Sequence, residues 1–198
     1  MQLDITVDTS DLERRMGFLA REQMPFIGAM TLTQTAKDAQ QVVIVRLPHK
    51  FTIRNTWTQK GVQIQPAKKN HLESRVMVRD DYMQLQEEGG TKTPRGQHLA
   101  IPARGARKNK RDIITKSNRP RAVLDRPKSF IQRLKSGREA IMRRKGKSRF
   151  PVEVMFLLIP KAEINARFGF EETVRRTVTD RVQKNFETAF NRAMATAR

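Results

Sequence analysis

Seven of the eight residues in Val152-Glu153-Val154-Met155-Phe156-Leu157-Leu158-Ile159 are apolar. A run of this length and composition reads as a strand covered on both faces. Pro160 stops it, because proline has no N–H to give the ladder. On the N-terminal side, Lys145-Gly146-Lys147-Ser148 reads as a turn, and Gly146 can take the positive φ that such turns often need. Before the turn, Ala140 and Met142 alternate with Glu139, Ile141 and Arg143, which gives a first strand with one mixed face. Residues 130–160 thus predict a β-hairpin whose second strand lies in a core and whose tip is strongly basic.

The two ends of the chain offer cover for that core. Leu3, Ile5 and Val7 alternate with polar neighbours, as in a short half-buried strand. Ser10 with Glu13 forms a capping box and opens a helix with Leu12, Met16 and Leu19 on its apolar face. Pro25 is expected to end or kink that helix and to serve as the first residue of a second one. The second helix runs to about Leu47, with Phe26, Ala29, Thr33, Ala36, Val43 and Leu47 near one face, and Pro48 ends it. At the other end Phe170, Val174, Val178, Val182, Phe186, Phe190, Met194 and Ala197 recur at nearly four-residue spacing. That stripe predicts a long helix with Phe186 and Phe190 buried. Glu171 and Glu172 near its start, and Arg192 and Arg198 near its end, suit the helix dipole.

Between these ends, residues 50–60 read as a connector holding the only tryptophan, Trp57. Val62 and Ile64, then Leu72, Val76 and Val78, alternate with polar residues and predict an antiparallel pair around residues 66–71. Residues 80–86 suit one helical turn closed by Gly89-Gly90. From Thr91 the composition shifts. Residues 92–149 hold 20 lysines and arginines against three acidic residues, Asp112, Asp125 and Glu139, in a chain of formal net charge +20. Pro94, Pro102, Pro120 and Pro127 interrupt the segment, and apolar residues are few. Such a run is not expected to fold alone, so residues 92–128 read as an extended basic arm. His98-Leu99-Ala100-Ile101-Pro102 is one strand-like island within it.

The charge narrows the partners to nucleic acid, acidic protein surfaces or anionic membranes. With no cysteine, disulfides and thiolate metal sites are excluded. No stretch reaches the roughly 18 apolar residues of a spanning helix. The N-terminus lacks the basic start and long apolar core of a signal peptide, so a soluble, cytoplasmically made protein is expected.

No catalytic motif emerges. His49, His71 and His98 have no paired-ligand spacing. Asp80-Asp81 and Glu87-Glu88 could serve a metal-dependent nuclease, but Asp80 capping a short helix and the glutamates pairing with arginines is the preferred reading. Gly89-Gly90-Thr91-Lys92 lacks the Walker spacing and is a turn. No cofactor or metal site is expected, and the chain does not read as an enzyme. For the arm, contact with acidic neighbours in an assembly is favoured. Phosphate contact with nucleic acid and a plain solvated loop are the alternatives. No aromatic residue lies in residues 92–129, so base stacking is not expected there.

The stretch Phe130-Ile131-Gln132-Arg133-Leu134-Lys135-Ser136-Gly137, the basic segment with Gly146-Lys147, and Phe150-Pro151-Val152-Glu153-Val154 together resemble the minor tail protein Z family of lambda-like phages. Met24-Pro25-Phe26-Ile27-Gly28-Ala29-Met30 is similar to the start of that family's long N-terminal helix. The resemblance implies a virion structural protein acting in tail completion or at the head–tail junction, the neck, by protein–protein assembly. The implied partners are other neck and tail proteins: a tail terminator, or a head–tail connector or stopper ring. A homo-oligomeric ring in the particle and residence in host cytoplasm before assembly are also implied. Non-specific contact with packaged DNA is left open, and no membrane is involved. The alternative is a stand-alone basic nucleic-acid-binding protein.

The expected fold is α+β, with a small antiparallel sheet of strands near 62–67, 72–79, 139–145 and 151–159. Helices near 11–47 and 169–197 cover it. Residues 1–91 and 129–198 form one domain, from which the arm at 92–128 projects. The candidate arm contacts are Arg104, Arg107, Lys108, Lys110, Arg111, Arg119 and Arg121. The candidate hairpin-tip patch is Arg143, Arg144, Lys145 and Lys147.

Overall fold

The computed structural model describes residues 1–6, 10 and 18–196. The capping box at Ser10 and Glu13, the face of Leu12, Met16 and Leu19, the strand position Val7 and the stripe end at Ala197 and Arg198 fall on or depend on residues outside those. The elements in order are β1 (Gln2–Thr6), α1 (Phe18–Lys50), α2 (Trp57–Lys60), β2 (Val62–Gln65), β3 (Glu73–Val78) and α3 (Tyr82–Glu88). There follow β4 (Gly90–Lys92), β5 (Leu99–Pro102), α4 (Pro120–Leu124), β6 (Ser129–Arg133) and β7 (Glu139–Arg144). The chain closes with β8 (Val152–Ile159), β9 (Ala162–Ile164) and α5 (Phe170–Thr196). The fold is α+β, with a long helix towards each end and small antiparallel sheets. No described helix is long and apolar enough to cross a membrane.

The chain divides into two compact units, Met1–Glu88 with Ala166–Arg198, and Gly89–Asn165. The strands expected in a single sheet are split between two, one in each unit, and β4 with β9 forms a further two-stranded sheet in the second unit. The first unit holds β1-β3-β2, all antiparallel, with Ile5 opposite Ser74 and Ile64 opposite Val76. Long helices α1 and α5 lie side by side. Asn185 Nδ2 donates to Thr35 Oγ1 at 3.1 Å, and Arg46 Nη1 donates to Thr173 Oγ1 at 2.8 Å. One helix ascends as the other descends across those two pairs, so they run antiparallel. One core gathers Ala36, Ala39, Val43 and Leu47 of α1 against Val62, Val76, Phe170 and Val174. A second core joins Met24 and Ile27 to Ala189 and Ala193. Alanines at both contacts let the two backbones approach closely.

Several expectations shift here. Helix α1 continues through Pro25 and past Pro48. Each proline removes only one intrahelical donor, and the burial of Met24, Ile27 and Leu47 outweighs that loss. The apolar face is rotated at its start, because Met24, Ile27 and Leu32 are fully buried while Phe26 and Thr33 are half-buried. On α5, Phe186 and Phe190 are half-buried and stack on each other with ring centroids 6.2 Å apart. The small residues Ala189 and Ala193 take the contact instead. One residue of each acidic pair at 80–88 has a structural role. Asp80 accepts from Trp57 Nε1 at 2.9 Å, and Glu87 caps α5 rather than pairing with an arginine.

In the second unit the sheet order is β5-β8-β7-β6, again antiparallel throughout. The apolar run forms β8 with the bounds its sequence suggests, and it has a neighbour on each side. A register shift between Ile141 and Met142 places Ala140, Ile141 and Met142 all in buried positions, as a bulge allows. Gly146 is not among the glycines of positive φ. Gly137 is, at +79°, in the turn that joins β6 to β7.

Residues 92–128 do not form an unsupported arm. Leu99–Pro102 pairs with β8 along the sheet edge. Ala106 and Val123 are buried with Ile141, Met155 and Phe156, and Ile114 and Leu124 pack against them. Pro120 opens α4 at its first turn, where a missing N–H costs nothing. Arg126 ties the segment together by donating to Ser117 O and to Asn118 Oδ1. The few apolar residues in the segment gain a core only because β7 and β8 supply the other half of it.

A cationic cleft at the end of the second sheet

The basic character of the chain is concentrated in the second unit. Residues 89–165 carry 21 lysines and arginines against five acidic residues, a net of +16 out of +20. Part of that charge converges at one end of the sheet. The attachment begun by β5 continues past Pro102, where Ala103 N donates to Met155 O and Gly105 N to Val154 O, both at 3.0 Å. Ala106 N then bonds back to Ala103 O at 3.0 Å, so the chain turns tightly against β8.

Gly105 makes this approach possible. A Cβ at that position would lie 2.5 Å from Glu153 Cγ and 2.7 Å from Val154 O. No side chain fits there without moving the strand. The turn therefore holds Arg104 and Arg107 next to the end of β7.

On that side, Arg143 pairs across the ladder with Glu153, and Arg144 with Val152. Arg144 N donates to Lys128 O at 3.1 Å, and Lys145 N to Pro151 O at 3.0 Å, so the strand end is fixed by its backbone. The Arg144 guanidinium sits 5.4 Å from the centroid of Phe130, a cation–π contact that restrains it. Arg104, Arg107, Arg143, Arg144 and Lys145 line a cleft of about 680 Å³, with Glu153 as the one acid among the lining residues. Arg143 Nη2 lies 3.4 Å from Glu153 Oε2. One carboxylate offsets one guanidinium and leaves four cations converging on the same space. These four cations are exposed, and together they attract an anion that enters the cleft.

Of the residues singled out in the sequence, the structure brings together Arg104 and Arg107 from the proposed arm with Arg143, Arg144 and Lys145 from the hairpin. The others lie elsewhere. Lys108 Nζ is 2.7 Å from Asp112 Oδ1. Lys110 and Arg111 are exposed on a loop closed by Asn109, whose Oδ1 accepts from Arg111 N and Ile113 N at 3.0 Å. Arg119 precedes α4 and Arg121 lies within it, both exposed. Lys147 is exposed in the β7–β8 turn and does not line the cleft. Sequence reasoning missed Gly105 and Glu153. The hairpin pairing places Glu153 opposite Arg143, a signal available once the turn is drawn long enough.

His71 Nε2 lies 2.9 Å from Glu73 and His98 Nε2 lies 3.8 Å from Glu139, so these two histidines sit beside carboxylates on separate strands. Among the described residues no group of three or more histidines and carboxylates is placed to hold a metal ion.

The family model of prophage minor tail protein Z matches residues 12–197. No curated protein and no solved structure matches the chain.

Proposed function

The chain belongs to the prophage minor tail protein Z family, a structural protein of the phage tail, and from that premise we propose that it completes the tail at the head–tail junction by docking onto acidic neighbours. The observation that supports this reading is the cationic cleft, where four cations in excess converge on a backbone fixed by the sheet. A preorganised set of charges gives docking its speed and register more than its raw strength. Repeated around a ring, each such contact is multiplied by the symmetry. The partners in this reading are a tail terminator and a connector or stopper ring, met after synthesis in the host cytoplasm. The role is binding rather than catalysis, and the side chains Asp80 and Glu87 already serve Trp57 and the start of α5.

The test is a phage carrying Arg104→Ser, Arg107→Ser, Arg144→Ser and Lys145→Ser together, with particles counted by electron microscopy. Filled heads and free tails that fail to join support the reading. Joined, infectious particles in normal number overturn the role of the cleft.

The net of +16 on one unit supports a second reading, a stand-alone nucleic-acid-binding protein. That protein would bind duplex DNA of any sequence with a steep fall in affinity as salt rises. The same four substitutions would flatten the slope.

A further inference from the structure

The first unit carries a second concave surface, of different character. It lies between α1, α5 and the turn joining β2 to β3, and encloses about 740 Å³. Its floor is apolar: Phe26, Ala29, Met30 and Ala189. Its rim is cationic, with Lys37 on α1, Lys68 and Lys69 on the turn and Arg192 on α5. Among the described residues that line it, none is acidic. Phe26 and Met30 are half-buried and all four cations are exposed.

The surface is preformed. Ala67 N donates to Thr33 Oγ1 at 3.1 Å and pins the turn to α1. Asn185 Nδ2 donates to Thr35 Oγ1 and, at 2.8 Å, to Asp38 Oδ2, which pins α5. The Lys69 ammonium stands 5.0 Å from the centroid of Phe26, so rim and floor meet at that point. A groove held open in this way costs little ordering when it is filled.

We propose that this groove seats an acidic amphipathic helix of another tail protein, with two or three apolar side chains on the Phe26–Met30 floor and carboxylates facing Lys37, Lys68, Lys69 and Arg192. An apolar floor selects anchors at helical spacing. A rim of cations on three separate elements asks for negative charge on both sides of those anchors, which a helix flanked by Asp and Glu supplies. A basic segment is a poor occupant, because it would meet like charge at a rim of four cations with no acid among the described lining residues.

The experiment uses the full-length protein and three labelled synthetic peptides of about 15 residues, long enough for a helix stabilised by binding. The first has Leu at i, i+3, i+4 and i+7 flanked by Glu. The second has Lys in place of Glu. The third keeps the Glu residues and replaces every Leu by Ser. Fluorescence anisotropy is expected to show saturable binding of the first peptide only. Lys68→Glu with Lys69→Glu, on an exposed turn, should weaken it about tenfold. Met30→Arg should abolish it, with circular dichroism and a thermal melt showing that the variant is still folded. Equal binding of the first and third peptides would overturn the proposal, since charge alone would then explain it. So would no binding of the first peptide. Sedimentation that shows a dimer dissociated by Met30→Arg would also overturn it, by assigning the groove to a second copy. Arg104→Ser with Arg107→Ser, in the other unit, should leave peptide binding unchanged, which separates this result from the fate of the cleft.

Discussion

The Glu87 carboxylate accepts the backbone N–H of Phe170 at 2.8 Å and that of Glu171 at 3.0 Å. A side chain at the end of α3 thus caps a helix that begins 83 residues later in the chain. The first turn of any helix has N–H groups with no internal partner, and its positive end favours an anion. Glu87 meets both needs. Glu87→Ala is expected to cost about 1–2 kcal/mol in a urea melt. Glu87→Gln, which keeps an acceptor but not the charge, should cost less. A loss in Glu87→Ala indistinguishable from zero would show that the cap is not needed.

Two phenylalanines on α5 allow a comparison within one helix. Phe170 is 1% exposed and packs in the main core of its unit, whereas Phe186 is half-buried beside Phe190. Phe170→Ala should cost about 3–5 kcal/mol, as for a filled core position. Phe186→Ala should cost roughly half of that or less, because it returns less apolar area to water. Equal losses in denaturant melts would mean that Phe186 is covered in solution.

Gly105→Ala tests the turn that builds the cleft. The added methyl carbon would lie 2.5 Å from Glu153 Cγ. Glu153 or β8 must move, and overpacking of this kind costs about 1–3 kcal/mol. Gly96→Ala is the control, since a Cβ at Gly96 meets nothing within 4 Å. Similar melting of the two variants would contradict the close approach.

Glu73 carries a pH prediction. The Arg75 guanidinium hydrogen-bonds to it and holds its carboxyl below the ordinary value of 4.5, with His71 adding to the effect and partial burial opposing it. A carboxyl with a lowered folded pKa stabilises the fold fully above its unfolded value and loses that contribution as pH falls through the folded one. Stability should therefore decline below about pH 4.5, and Arg75→Gln should bring the Glu73 titration, followed by NMR, back up. An unchanged Glu73 titration in that variant would contradict the pairing.

Parts of this architecture are legible in the sequence because they are local. Val152–Ile159 and Pro160 mark a central strand by composition alone, and β8 has those bounds. Gly89 and Gly90, with φ of +75° and +125°, close α3 where the glycine pair suggests. The α5 stripe yields a helix of nearly the expected length. What the sequence hides depends on distant partners. Val123 and Ala106 look isolated in a basic stretch, yet Phe156 and Ile141 complete a core around them. The three-residue strands β4 and β9 have too little pattern to be seen before they pair. Pro25 is a strong local stop signal, overridden because Met24 and Ile27 on either side are buried against α5. The cleft was half visible. The basic residues stand out, but which of them converge follows from Gly105 lying against β8, and no charge count contains that.

The most direct test of the assembly account is a reconstruction of the intact phage particle at side-chain resolution, with this chain located in it. The account predicts that Arg104, Arg107, Arg144 and Lys145 face Asp and Glu side chains of a neighbouring protein at the head–tail junction, within about 4 Å, the range of an ion pair. A cleft open to solvent, or one turned onto DNA in the lumen, would contradict it.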